Sequence, residues 1–230
     1  SYKYKNFLSE NSSTEDIIKF FNLIEITNDE FVCQKPERVL GTLPNFNKSE
    51  TVTHVIYKEV RHHNILQNMI DKVNDIKIIL LVRNPIEVIN SWVNAPKEFN
   101  PNWNIDEQLF DATLKNLGKK ENFYGLKAWA KATKEFERLK KYYPSRVFLV
   151  KYSSLISSPN SVVQSIYDHC GLEFSNATSK FLNDSFESTK LGEYSVFRGK
   201  NVSKLTLNNN QIETITKYVN DKGLSKYLKS

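Results

Sequence analysis

Glycine is scarce in this sequence: seven in 230 residues, and none before Gly41. A chain this poor in glycine has few places where backbone can wrap closely around a phosphate. No G-x-x-x-x-G-K-S/T phosphate loop occurs anywhere in it. There are only two cysteines, Cys33 and Cys170, with no C-x-x-C pair and no histidine at ligand spacing. That argues against a disulfide framework and a zinc site, so no metal is expected and a reducing, cytoplasmic setting is the default. No stretch approaches the roughly 18 apolar residues of a membrane span, and the opening "SYKYKNFLSE" lacks the apolar centre of a leader peptide. Basic runs interleaved with aromatics are missing as well, so a nucleic-acid partner is not expected. Five Asn-x-Ser/Thr sequons carry little weight where about one residue in ten is Asn.

What is present suits a packed domain. Forty per cent of the residues are hydrophobic and 12% aromatic, enough to predict one domain over residues 1–230. A formal charge of +6 favours an anionic partner over a cationic one. Ser12 to Glu15 has the form of a helix start, and "TEDIIKFFNLI" follows at helical spacing. "VTHVIYKEV", rich in β-branched and aromatic residues, predicts a strand ending near Lys58. A short helix, "NILQNMIDKV", precedes "KIILLV", an apolar strand of the kind buried on both faces of a parallel sheet. Pro85 opens a helix with Asn84 as cap. A long helix stopped by Pro144, a third strand "RVFLVKY", a helix from Pro159 to Gly171 and two further helices complete the order. Alternation of this kind predicts an α/β fold, three layers with a mainly parallel sheet at the centre.

Ligands of such sheets bind beyond the carboxyl ends of the strands, where Lys58, Arg83 and Tyr152 fall. Arg83 draws notice first, because it stands beside the predicted N-terminus of a helix. Orphan N–H groups, the positive end of the dipole and a planar guanidinium together make an anion site. Ser91 shares a helix face with Asn84 and Glu87 and could donate to the same anion. The plain alternative is that Arg83 pairs with Glu87 and Ser91 is filler.

The stretch "VIYKEVRHHNILQNMIDKVNDIKIILLVRNPIEVINSW" resembles the sulfotransferase family. There a Lys-x-x-Arg strand end is followed by an apolar strand, Arg-Asp/Asn-Pro, and a Ser eight residues beyond the Arg. The likeness is nearest to the carbohydrate and tyrosylprotein branches. "RVFLVKYSSLISSPNSVVQSIYDHCGLEFS" resembles a second family block, with Ser153 and Ser154 where Glu-Asp is usual. "FRGKNVSKLTLNNNQIETITKYVNDKGLSKYL" is similar to the C-terminal basic loop and closing helix. The three blocks cover about residues 52–228 and leave 1–51 unassigned.

The resemblance implies a P-loop-NTPase-like sulfotransferase fold. It also implies 3′-phosphoadenosine 5′-phosphosulfate (PAPS) as donor, the 3′,5′-bisphosphate (PAP) as product, and a hydroxyl acceptor of carbohydrate type. Arg83 and Ser91 would hold the 3′-phosphate, joined by Arg198, Gly199 and Lys200. Tyr152 would contact adenine, with strand-end packing as the alternative. Lys58 matches the lysine beside the bridging oxygen that leaves, and a snorkelling lysine is the other reading. A base is also required. Glu59 ranks slightly ahead of His62, with His63 the other local candidate, whereas Arg61 would bind an acidic acceptor or a donor oxygen or serve as an ordinary ion-pair residue. Trp103 and Phe110, in the loop region 94–121, are offered as sugar-stacking groups, with buried packing at least as good a reading.

One departure bears on activity. The family's early Pro-Arg-Ser-Gly-Thr-Thr loop, which cradles the 5′-phosphosulfate, is not found, and "VLGTLPN" does not replace it. Either that loop precedes Ser1, or the chain is a catalytically silent relative that binds a nucleotide or glycan. A nucleotide kinase, lacking a phosphate loop and magnesium carboxylates, ranks last. The nearest branches make the Golgi lumen the alternative compartment, and the sequence says nothing of oligomeric state.

Overall fold

The computed structural model describes residues 8–30, 33, 35, 39, 51–119, 122–187 and 205–229. Ten α-helices and two strands follow one another along them. The order is α1 (Thr14–Ile26), a 3₁₀ turn (His63–Ile65), α2 (Leu66–Lys72), β1 (Ile78–Val82), α3 (Pro85–Val93), α4 (Ile105–Gln108) and α5 (Thr113–Asn116). Then come α6 (Leu126–Tyr142), β2 (Val147–Lys151), α7 (Tyr152–Ser157), α8 (Pro159–Cys170), α9 (Asn176–Glu187), α10 (Asn209–Asp221) and a closing 3₁₀ turn (Ser225–Tyr227). They fall into two compact units, Ser1–Ile76 with Glu173–Asn201, and Lys77–Leu172 with Val202–Ser230.

In the first unit, α1 starts where a reciprocal cap permits it. The Ser13 hydroxyl accepts from the Asp16 amide at 3.1 Å, and the Asp16 carboxylate accepts from the Ser13 amide at 3.0 Å. Ile17, fully buried, packs with Leu8, Ile65 and Met69. Burial of such a side chain stabilises by about 1.5–3 kcal/mol. Lys72 and Asn68 of α2 both donate to the Ser12 carbonyl, at 2.8 and 3.0 Å, which fastens α2 to the start of α1.

The strand expected over residues 52–58 is not formed. Val52 and Ile56 are exposed, and the segment has no ladder partner among the described residues. Just beyond it the Glu59 carboxylate accepts from the Val60 and Arg61 amides, both at 2.7 Å, where the chain bends. The Tyr57 ring meets Phe20 of α1 edge-on at 5.0 Å, so an aromatic contact rather than a ladder holds the segment.

In the second unit, β1 and β2 are parallel, in register from Ile78 opposite Val147 to Val82 opposite Lys151. Helix α6 packs on β2 with a buried stripe of Leu126, Ala130, Thr133, Phe136 and Leu139. Helix α8 packs on β2 as well, and its His169 ring lies 5.4 Å from Phe148. Val147 and Val150, which point to opposite faces, are both buried. β1 departs from the expectation of burial on both faces: Ile78, Leu80 and Val82 are buried, whereas Ile79 and Leu81 are 37% and 49% exposed. Among the described residues the sheet has these two strands, and the second face of β1 is only partly covered.

Helix α3 leaves β1 as Asn84 and Pro85 predict, with the Asn84 side chain accepting from the Ile86 amide at 2.9 Å. Buried Asn90 on α3 accepts from the Thr206 amide at 2.9 Å and hydroxyl at 3.0 Å. This ties the approach to α10 onto the helix. Asn208 and Gln211 then form a capping box, and Gln211 also donates to Asp106 at 2.8 Å.

Candidate functional site

The two strands end side by side, at Val82 and Lys151, and the next residue of each carries the chemistry. The Arg83 guanidinium lies 4.6 Å from the centre of the Tyr152 ring. Its Nε donates to Glu87 at 2.7 Å, so the pairing weighed from sequence is present. Its terminal amino groups have no protein partner among the described residues. The backbone is held too, since the Trp129 indole N–H of α6 donates to the Arg83 carbonyl at 3.1 Å. Ser91 lies one turn beyond Glu87 on the same flank of α3, exposed and without a hydrogen bond among the described residues. Arg83 and Tyr152 thus share one rim, whereas Ser91 stands further along α3, on the Glu87 flank.

The closing turn of the chain reaches the same mouth. Asn84, besides capping α3, donates to the Leu228 carbonyl at 2.9 Å, and Lys151 donates to the Lys226 carbonyl at 3.2 Å. Tyr227 donates to Glu137 at 3.1 Å, and Lys226 pairs with Glu137 at 2.6 Å. Burial, then the Glu137 charge and hydrogen bond, push the Tyr227 phenol far above its ordinary pKa, so it stays a donor. The gap left between Asn84, Lys151, Ser153, Tyr227 and Lys229 is about 10 Å³, room for roughly one water. Among the described residues that gap is too small for a nucleotide, and the charged groups around it stand on its rim. Four cations (Arg83, Lys151, Lys226, Lys229) and two carboxylates (Glu87, Glu137) gather there, an electropositive surface.

Lys58, Glu59 and His62 belong to the first unit and form their own group. Lys58 is exposed, with no partner among the described residues. Glu59 accepts from the Tyr57 hydroxyl and from two backbone amides. Burial raises its pKa, but those hydrogen bonds outweigh it and leave the carboxyl below the ordinary value. A carboxylate satisfied in this way is a weak base. The half-buried His62 imidazole makes no hydrogen bond among the described residues. Arg198, Gly199 and Lys200 lie outside the described residues.

Phe110 packs edge-on against Tyr218 of α10 at 5.3 Å, a contact that α10 supplies. Sequence reasoning missed Trp129, Lys151 and Lys229, whose neighbours at the mouth come from distant parts of the chain. No local signal marks them.

Residues 6–227 match the family model described as a sulfotransferase domain. The chain belongs to the sulfotransferase family. The match reaches back well before residue 52, into the part that the sequence motifs left unassigned. No curated protein matches the chain, and no solved structure does. Family membership supports sulfotransfer as the reaction class, and the parallel α/β sheet is consistent with that fold. Among the described residues, no helix is long and apolar enough to cross a membrane, and no cluster of three His, Cys, Asp or Glu could hold a metal ion.

Proposed function

We propose that the chain transfers a sulfuryl group from PAPS to a hydroxyl of a carbohydrate acceptor. One observation carries the donor assignment. Arg83 is fixed by Tyr152, Glu87 and Trp129 at the start of α3, while its terminal amino groups remain unspent on an electropositive rim. Those groups, the positive end of the α3 dipole and the Ser91 hydroxyl suit a phosphate dianion. Arg198, Gly199 and Lys200 join them by family resemblance, and Tyr152 faces adenine.

In the transfer, the bond from sulfur to the bridging oxygen of the donor breaks as the acceptor oxygen bonds to sulfur. Negative charge grows on the departing phosphate oxygen, and the Lys58 ammonium offsets it. The acceptor hydroxyl loses its proton to a base. Glu59 is held by three donors, so His62 is assigned that role in its place.

Isothermal titration calorimetry with PAP on the full chain tests this reading. Binding that is lost in Arg83→Ala and kept in Lys58→Ala supports it. Binding unaffected by Arg83→Ala refutes the phosphate role. No binding at all favours the other reading, a catalytically silent module of the same family.

A further inference from the structure

Past the C-terminal end of α3 the chain builds a second feature, an open cleft of about 280 Å³ between Pro96, Glu98, Asn100, Trp103 and Lys115. Its wall is a series of aromatic rings. Trp92 and Phe99, 7% and 5% exposed, meet edge-to-face at 5.1 Å, and Phe99 meets Trp103 in the same way at 5.4 Å. Trp103 is therefore held by buried rings while remaining only half-buried itself. Its polar edge sets it apart from the other two tryptophans. The Trp92 indole N–H donates to the Glu98 carbonyl and that of Trp129 to the Arg83 carbonyl, whereas that of Trp103 has no partner among the described residues. A rigid, half-exposed indole whose N–H is not taken by protein can stack on a ligand and donate to it from the edge of the cleft.

The polar lining completes the pattern. Glu98 receives the Tyr124 hydroxyl at 2.7 Å and pairs with Lys115 at 2.5 Å, with side chains 33% and 21% exposed. The pair is partly dried yet reachable from the cleft. One site thus offers an aromatic face, two donors (the Trp103 indole and the Lys115 ammonium) and a carboxylate acceptor. A pyranose ring needs that combination, because it presents a C–H face for stacking and hydroxyls that both donate and accept. The volume falls at or just below the lower limit of small-molecule sites, roughly 300 Å³, which suits one ring and not a nucleotide.

We infer that this cleft is a subsite for a single pyranose residue of a glycan. As an acceptor subsite it rests on the proposed transfer to a carbohydrate. Its position keeps it apart from the Arg83–Tyr152 stack, since the nine residues of α3, roughly 14 Å of helix, lie between Arg83 and the loop that forms it.

Saturation-transfer NMR on the full chain tests the inference, with the methyl pyranosides of glucose, galactose, N-acetylglucosamine and glucuronic acid as probes. The expected result is saturation of the ring protons of at least one probe. Trp103→Ala should weaken its binding about tenfold or abolish it, and Arg83→Ala should leave it unchanged. Trp103→Phe keeps a stacking ring without the N–H, so it should show an intermediate loss and guards against misfolding in the alanine variant. No saturation with any of the four, or equal saturation in Trp103→Ala, overturns the subsite. Failure of PAP to bind while a pyranoside still does would remove the nucleotide reading and leave the cleft standing.

Discussion

The Arg83 guanidinium and the Tyr152 ring are stacked 4.6 Å apart, so the first residues beyond the two strands brace each other. Contacts of this kind are worth about 0.5–1 kcal/mol at exposed sites. More important here, the stack fixes the plane of the guanidinium before any ligand arrives. Glu87 takes only the Nε edge, and a bound phosphate would lie near its carboxylate. Glu87→Gln should therefore raise PAP affinity, by up to about fivefold. Because the pair is a half-exposed i,i+4 contact, stability should change by no more than about 0.5 kcal/mol. Calorimetry and urea denaturation of this variant provide the two readings, and lower affinity would mean that Glu87 helps to present the arginine.

Lys58 is predicted to act on the transition state more than on the ground state. Lys58→Ala should lower kcat about 10²–10³-fold while leaving the dissociation constant for PAP within a few-fold of the parent. Single-turnover sulfation measured alongside calorimetry separates the two. Near-normal turnover would move the leaving-group role to another residue.

Gly125 tests how α6 is seated. Its backbone, at φ 92° and ψ 166°, lies in a region almost reserved for glycine. An added Cβ would stand 2.6 Å from the Phe110 carbonyl oxygen, a backbone atom that cannot swing aside. Gly125→Ala should cost about 2–4 kcal/mol in urea denaturation. A loss below 1 kcal/mol would show that the α4 to α6 connection is softer than its hydrogen bonds imply.

Acid should loosen the first unit through α1. The Asp16 carboxyl is held below its ordinary 3.8, first by the Ser13 amide and then by the Ser13 hydroxyl. A depressed carboxyl contributes stability that is complete above its unfolded-state value and is lost as pH falls through the lower folded value. Denaturation midpoints followed from pH 6 to pH 2 should therefore drop below about pH 4, the ordinary range of an aspartate. Asp16→Asn should flatten that limb. An unchanged acid limb in Asp16→Asn would place the sensitivity elsewhere.

Local chemistry made much of this architecture legible. Asn84 and Pro85 announce α3, Ser12 to Glu15 announces the start of α1 although Ser13 and Asp16 make the cap, and Gly171, in the left-handed region, ends α8 as its position after Cys170 suggests. What sequence could not supply is partnership. Residues 52–58 have the composition of a strand, but composition does not provide a neighbour. "KIILLV" reads as apolar throughout, yet which of its faces is covered depends on helices far along the chain. The same holds at the site: Arg83 and its pairing with Glu87 lie within one helical turn and could be read. Trp129 and Leu228, by contrast, reach this corner from 46 residues beyond Arg83 and 144 beyond Asn84.

The link from Asn84 to Leu228 also orders events in time. A ribosome delivers this chain from its amino end, so β1 and α3 emerge long before the residue that completes the second hydrogen bond of the Asn84 amide. Contacts of such long sequence separation form late, after loop closure has been paid for. The electropositive corner is therefore finished only once Leu228 has emerged, and until then that corner stays open, however well the helices around it have formed.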